Sequence, residues 1–281
     1  MSRPWRFDYL RHWVVVEEDM ERSVKEAMVL VVANQKGGVG KTTTAINLGA
    51  CLAASGKRVL LVDMDPQSNA TSGLGVEPDP DRNIYNVLIG KADLRDVVVD
   101  TSVPHLFLAP AHIDLVGLEV EMAAEDDRAF LLKRALEPWL QEYDFVVIDS
   151  PPSLGLLTLN GLVAGSKVLI PLQCEYYAME GLASLIETVK RVKLSLNPTL
   201  ELWGIVFTMY DTRTKLSRQV VDEVVRHFPR QAFRTVVPRN VRLSEAPSYG
   251  IPVLLYDAKS AGAKAYLSIT KEVLSRCQSG A

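Results

Sequence analysis

Two lysines set among closely spaced glycines are the first residues in this chain that could do chemistry. They lie in Gln35-Lys36-Gly37-Gly38-Val39-Gly40-Lys41-Thr42-Thr43, directly after the apolar run Val29-Leu30-Val31-Val32. Glycines let backbone N–H groups converge on an anion, and a helix that follows adds partial positive charge at its N-terminus. In such a cradle Lys41 reaches terminal phosphates and the Thr42 hydroxyl binds Mg2+. One feature departs from the usual glycine-x4-glycine-lysine-serine/threonine form: Gln35 stands where the first glycine belongs, and an additional lysine, Lys36, follows it. The apolar run before the loop and the helix-forming Thr44-Ala45-Ile46-Asn47-Leu48 after it supply the strand–loop–helix context that a nucleotide-binding loop requires.

Carboxylates stand where they could complete such a site. In an open parallel sheet, ligands bind beyond the carboxyl ends of the strands. Asp149 ends the apolar run Phe145-Val146-Val147-Ile148, as a Walker-B aspartate does, and would hold Mg2+ directly or through water. Asp63 ends a second such run, and Asp65 follows two residues later. Hydrolysis also needs a group to orient the attacking water, and Asp65 is the candidate. Aspartates at strand ends also serve as caps or turn formers. Three converging on one loop make that the lesser alternative. The Pro151-Pro152 turn after Asp149 is stiff enough to act as a γ-phosphate switch.

These side chains need elements to position them, and the hydrophobic pattern supplies them. Further strands are expected at residues 57–63, 105–110, 143–149, 167–171, 202–209 and 233–236. Helices are expected from Thr44 to Gly56, near 113–124 and 127–141, over 178–195, near 217–228 and over 260–276, with a loop to about residue 81 and an apolar run at 251–255. Apolar strands alternating with helices predict an α/β fold, a mostly parallel central sheet flanked by helices on both faces. No repeat or linker divides it, so residues 28–281 read as one domain. Residues 1–27 precede the first strand as an N-terminal extension, expected to be poorly ordered or the product of an upstream start.

Composition narrows the class. The chain has 281 residues, of which 48% are hydrophobic, enough to bury a full core. No apolar run is long enough to span a bilayer, and the first 27 residues do not form a signal peptide. Cys51, Cys174 and Cys277 show no paired spacing, which favours reduced thiols in a cytoplasmic protein. The net charge is −3, yet residues 211–242 hold eight basic side chains against three acidic ones. A basic zone on an acidic body suits a polyanion, and on charge alone it suits a solvated, salt-bridged helix face equally well.

Four segments carry a resemblance: Lys36-Gly-Gly-Val-Gly-Lys-Thr-Thr43, Val62-Asp-Met-Asp-Pro-Gln67, Asp149-Ser-Pro-Pro-Ser-Leu-Gly155 and Pro238-Arg-Asn-Val-Arg-Leu-Ser-Glu-Ala-Pro247. Together they resemble the deviant-Walker-A P-loop ATPases, and within them the ParA/Soj chromosome- and plasmid-partitioning ATPases, over about residues 28–276. The resemblance implies an ATP hydrolase that uses Mg2+ and closes into a homodimer sandwiching ATP. Lys36 matches the signature lysine that crosses to the partner's nucleotide, and Lys41 the phosphate-binding lysine of the loop Gly37, Gly38, Val39, Gly40, Thr42 and Thr43. Asp65 matches the acid needed for hydrolysis, while Thr42, Asp63 and Asp149 match the Mg2+ site. Pro238, Arg239 and Asn240 match a segment near the nucleotide base. Arg213 and Arg242 match positions used for non-specific DNA binding, and both fall in the basic zone. The implied partners are the nucleoid and a ParB/Spo0J-like protein that stimulates hydrolysis, in the cytoplasm. No membrane is expected, because the last helix lacks the apolar tail of the MinD relatives. A related cargo- or membrane-positioning ATPase of the MinD kind, acting on a scaffold other than DNA, is the alternative.

Overall fold

The computed structural model describes residues 26–278. Nearly all of the N-terminal extension, residues 1–25, lies outside them. Ala27 already belongs to the fold: it is buried, and its N–H donates to the Leu140 carbonyl.

Eight strands form one sheet. In chain order they are β1 Met28–Val32, β2 Val59–Asp63, β3 Val99–Asp100, β4 Leu106–Ala109, β5 Phe145–Asp149, β6 Lys167–Gln173, β7 Glu201–Tyr210 and β8 Ala232–Pro238. Their spatial order is β3-β4-β2-β5-β1-β6-β7-β8, and every pairing is parallel except β3 with β4. The central strands read MVLVV, VLLVD and FVVID, near-continuous apolar runs of the kind that sheets covered on both faces require.

Alternation along these strands divides the core in two. Val29, Val31, Leu60, Val62, Val146 and Ile148 face one layer, and Leu30, Val32, Val59, Leu61, Phe145 and Val147 face the other. The second layer is built on α1 (Lys41–Ala54), α2 (Asn69–Gly73), α10 (Val241–Glu245), α11 (Val253–Tyr256) and α12 (Ala261–Gln278). The first contains α3 (Ile84–Leu88), α4 (Leu94–Val97), α5 (Leu118–Glu121), α6 (Leu131–Leu136), α7 (Leu156–Ala164), α8 (Ala178–Ser195) and α9 (Lys215–His227). Among the described residues, no helix is long and apolar enough to cross a membrane. Cys51 and Cys174 are buried thiols.

Several local expectations are corrected. Helix α1 begins at Lys41, not Thr44, so both loop threonines that follow the lysine lie in its first turn. The helices expected at 113–124 and 127–141 are short pieces joined by 3-10 turns; Pro138, with no N–H to give, stops α6 from continuing. Two further helices follow the loop, capped by the Asn83 and Asp93 side chains, which accept from Asn86 N–H and Arg95 N–H. The apolar run at 251–255 is a single helical turn, α11.

Candidate nucleotide-binding and hydrolysis site

The loop between β1 and α1 is tied to two neighbouring strands, β6 and β7. Asn34 donates its side-chain amide to the Pro171 carbonyl of β6 at 2.8 Å and accepts the Lys36 N–H at 3.0 Å. Thr208 on β7 donates its hydroxyl to the Val39 carbonyl at 2.8 Å. Gly38 and Gly40 hold φ of +74° and +89°, a backbone region costly for any residue with a Cβ. Gly40 offers no side chain to cap α1, so the helix's first N–H groups are left pointing out of its N-terminus. Lys41 folds back over the loop and donates to the Lys36 carbonyl at 3.1 Å.

Strand pairing brings the carboxylates to the same place. Asp63 and Asp149 are register partners at the ends of β2 and β5, and Asp149 also pairs with Val32, the last residue of β1. Asp63 and Asp149 are completely buried, and Asp65 and Lys41 are nearly so. Burial pushes the Asp149 carboxyl well above its usual range, and the neighbouring Asp63 charge adds to the rise. Burial likewise raises Asp63, to about 6, against the pull of hydrogen bonds from Thr71 and Asp65. Desolvation lowers Lys41, and Asp149 and Asp65 counter it. The structure thus brings Lys41, Thr42, Asp63, Asp65 and Asp149 into one electrostatically coupled pocket.

The two buried aspartates differ in what their oxygens do. Asp63 Oδ2 accepts the Thr71 N–H at 2.8 Å and the Thr71 hydroxyl at 2.7 Å, while Oδ1 accepts the Asp65 N–H at 3.1 Å. Both oxygens of Asp149 are buried with no hydrogen-bond partner; the nearby Thr42 hydroxyl tempers the upward shift of the carboxyl. Orphaned carboxylate oxygens beside a threonine hydroxyl and a phosphate cradle fit a hard divalent cation. No three His, Cys, Asp or Glu side chains cluster into a self-sufficient cage among the described residues. Mg2+ is ordinarily held by one or two carboxylates together with substrate phosphates, so this donor set suits it.

The other expected residues lie around this pocket. Lys36 is half exposed and forms an ion pair with Glu175, just beyond β6, while Gln35 exchanges hydrogen bonds with Ser184 of α8. Pro238 ends β8, paired with Tyr210, and Arg239, whose N–H donates to the Tyr210 carbonyl, and Asn240, the N-cap of α10, follow. That end neighbours β7, whose Thr208 holds the phosphate loop. Arg213 lies in the turn after β7, held by Asp211 through its Nε and Nη2 atoms, and Arg242 opens α10, held by Glu245 and Asp257.

Two backbone segments meet behind the site. Gly75, just after α2, and Gly250, just before α11, have φ of +76° and +65°, and a Cβ on Gly250 would lie 2.6 Å from the Gly75 Cα. Reading the sequence did not single out Asn34, Thr71 or Thr208. Each is a buried polar residue at a strand end or in a short helix, and only the fold shows which backbone group it serves.

A family model described as an AAA domain matches residues 27–202. The chromosome-partitioning ATPase Soj of Treponema pallidum is 55% identical over 247 residues, 88% of this chain and 97% of that protein. The chromosome partitioning protein ParA of Myxococcus xanthus is 52% identical over 249 residues, 88% of each chain. A crystal structure of cobyrinic acid a,c-diamide synthase from Mycobacterium smegmatis, with bound ATP analog and magnesium, superposes with a TM-score of 0.81 at 40% identity. The match covers 91% of this chain and 97% of that one.

Proposed function

The chain belongs to the Soj/ParA family of chromosome-partitioning ATPases, and from that premise we propose that it works as an ATP-driven switch on DNA. It hydrolyses ATP to ADP and phosphate. The observation that carries the reading is the convergence of Lys41, Thr42 and three aspartates at the ends of β1, β2 and β5. Lys41 and the loop N–H groups hold the phosphates. Thr42 and Asp149 are the residues to hold Mg2+, with Asp63 behind them; when bound, the ion neutralises charge on the phosphate oxygens. Asp65 orients the attacking water, and the surrounding burial keeps bulk water from competing.

Dimerisation, DNA and a partner complete the proposal. Lys36 leaves Glu175 and crosses to the nucleotide of a second copy, adding a cation where transition-state charge develops. The dimer doubles the surface that carries Arg213 and Arg242, so DNA affinity rises by avidity. A ParB/Spo0J-like protein stimulates hydrolysis and thereby release from the nucleoid. Retention of non-specific duplex DNA tests this, measured with ATP, ADP or no nucleotide at two salt concentrations. The wild type is expected to bind in an ATP-dependent, salt-sensitive way, and the Arg213→Glu/Arg242→Glu variant to fail. ATPase activity without DNA retention would move the function to a different scaffold.

A further inference from the structure

Thr71 sits in the middle of α2, completely buried, and has no part in the chemistry assigned so far. It supplies two of the three donors that hold the Asp63 carboxylate. Its hydroxyl oxygen also accepts the Ala111 N–H at 3.0 Å. A hydroxyl has one proton and two acceptor lone pairs, so the bond from Ala111 leaves the proton directed at Asp63. The third donor to Asp63 is the backbone N–H of Asp65. Asp65 in turn accepts the Gln67 N–H through its own carboxylate at 3.0 Å. The Asp63 carboxylate is therefore a hub with Thr71 on one side and the Asp65 backbone on the other.

We propose that Thr71 is a positioning residue for ATP hydrolysis: it clamps Asp63, and through Asp63 it fixes the backbone from which the Asp65 carboxylate is aimed. The inference rests on the reading of Asp65 as the water-orienting acid. Partners that orient active-site groups at one remove are commonly worth 10- to 100-fold in activity. The hydroxyl is the discriminating atom. Valine keeps the volume and the backbone N–H but removes the hydroxyl donor and leaves the Ala111 N–H unpaired. Serine keeps both bonds and removes only a methyl group.

The test compares wild type, Thr71→Val, Thr71→Ser, Asp65→Ala and the Thr71→Val/Asp65→Ala double variant as full chains. Steady-state ATP hydrolysis is measured with Mg2+, and binding of a fluorescent ATP analogue is measured in EDTA. For Thr71→Val, kcat is expected to fall about 10- to 100-fold with KM within about threefold, while Thr71→Ser stays within about threefold of wild type. Analogue affinity in EDTA is expected to be the same for wild type and both Thr71 variants. Added to Asp65→Ala, the valine is expected to cost less than about twofold more, because both changes disable one unit. If Thr71→Val does not fold, Thr71→Ala takes its place with the same expected loss. The inference is overturned if the hydroxyl-free variant keeps kcat within twofold of wild type, if serine falls as far as valine, or if the double variant is fully additive. An Asp65→Ala protein as fast as wild type would instead refute the underlying assignment of Asp65.

Discussion

The phosphate pocket and the arginine segment carry charge in opposite ways. In the pocket, Asp63, Asp65 and Asp149 come from the ends of β2 and β5 and Lys41 from the start of α1, all shielded from water, so the lysine is set against acids far away in the chain. On the arginine segment each ion-paired arginine has an acid within two or three residues, and only Arg242 adds a more distant one, Asp257. Arg213 pairs with Asp211 two residues away, Arg226 with Glu223, and Arg242 with Glu245, all at the surface. Arg213 holds the Asp211 carboxyl down at about 2. Burial makes the pocket's charges expensive and therefore fixed in place. Exposure makes the arginine pairs cheap to open and therefore available to another anion.

Lys41→Ala would break the comparison most severely. It removes the cation that both the phosphates and two buried carboxylates lean on, and ATP affinity is expected to drop by roughly 100-fold or more in a fluorescence titration. Retained affinity would mean that the backbone cradle suffices. Asp65→Ala is expected to lower hydrolysis by about 100-fold or more while leaving ATP bound, so that ATP-loaded protein persists on DNA in a release assay. Asp65→Ala turnover at the wild-type rate would remove Asp65 from the mechanism. Replacing Arg213 and Arg242 together by glutamate is expected to flatten the slope of log affinity against log salt by about two per copy, about four for the ATP-bound dimer, with DNA-free ATPase activity unchanged. An unchanged slope would place the DNA elsewhere.

Two smaller effects sharpen the contrast. Asp63 is raised to about 6, and a buried acid with a raised pKa destabilises the fold as it ionises. In EDTA without nucleotide, stability is therefore expected to increase by on the order of 1 kcal/mol as pH falls from 7 to 5, read from urea midpoints. Asp63→Asn should remove that share of the slope; a slope that survives it would come from other groups. On the surface, Asp211→Asn frees Arg213 from its own acid, and DNA affinity is expected to rise only a few-fold, as for an exposed ion pair. A larger gain would show that the pair holds the arginine out of reach.

The same contrast explains what could be read in advance. Parallel topology, helices on both faces and the convergence of Asp63 and Asp149 were legible because buried strands announce themselves as unbroken apolar runs that end in a charged residue. The clamp from Thr71 was not, since a threonine in a five-residue helix carries no periodic signal and its acceptor lies eight residues back. The arginine segment was only half legible. Counting charge within residues 211–242 found the basic surplus. It omitted Glu245 and Asp257, which lie beyond the segment and hold Arg242. Local capping, by contrast, was open to view at Asn83 and Asp93 and went unused.

The contact between Gly75 and Gly250 has a mechanical consequence. Two backbones that meet without side chains have nothing compressible between them, and protein interiors are already packed like crystals. The helix that carries Thr71 and the turn that leads back to Arg242 therefore meet as a rigid bearing rather than a cushion. A shift of a few tenths of an ångström at one side is handed on to the other, not absorbed. Neither glycine can gain even a methyl group unless the other side gives way.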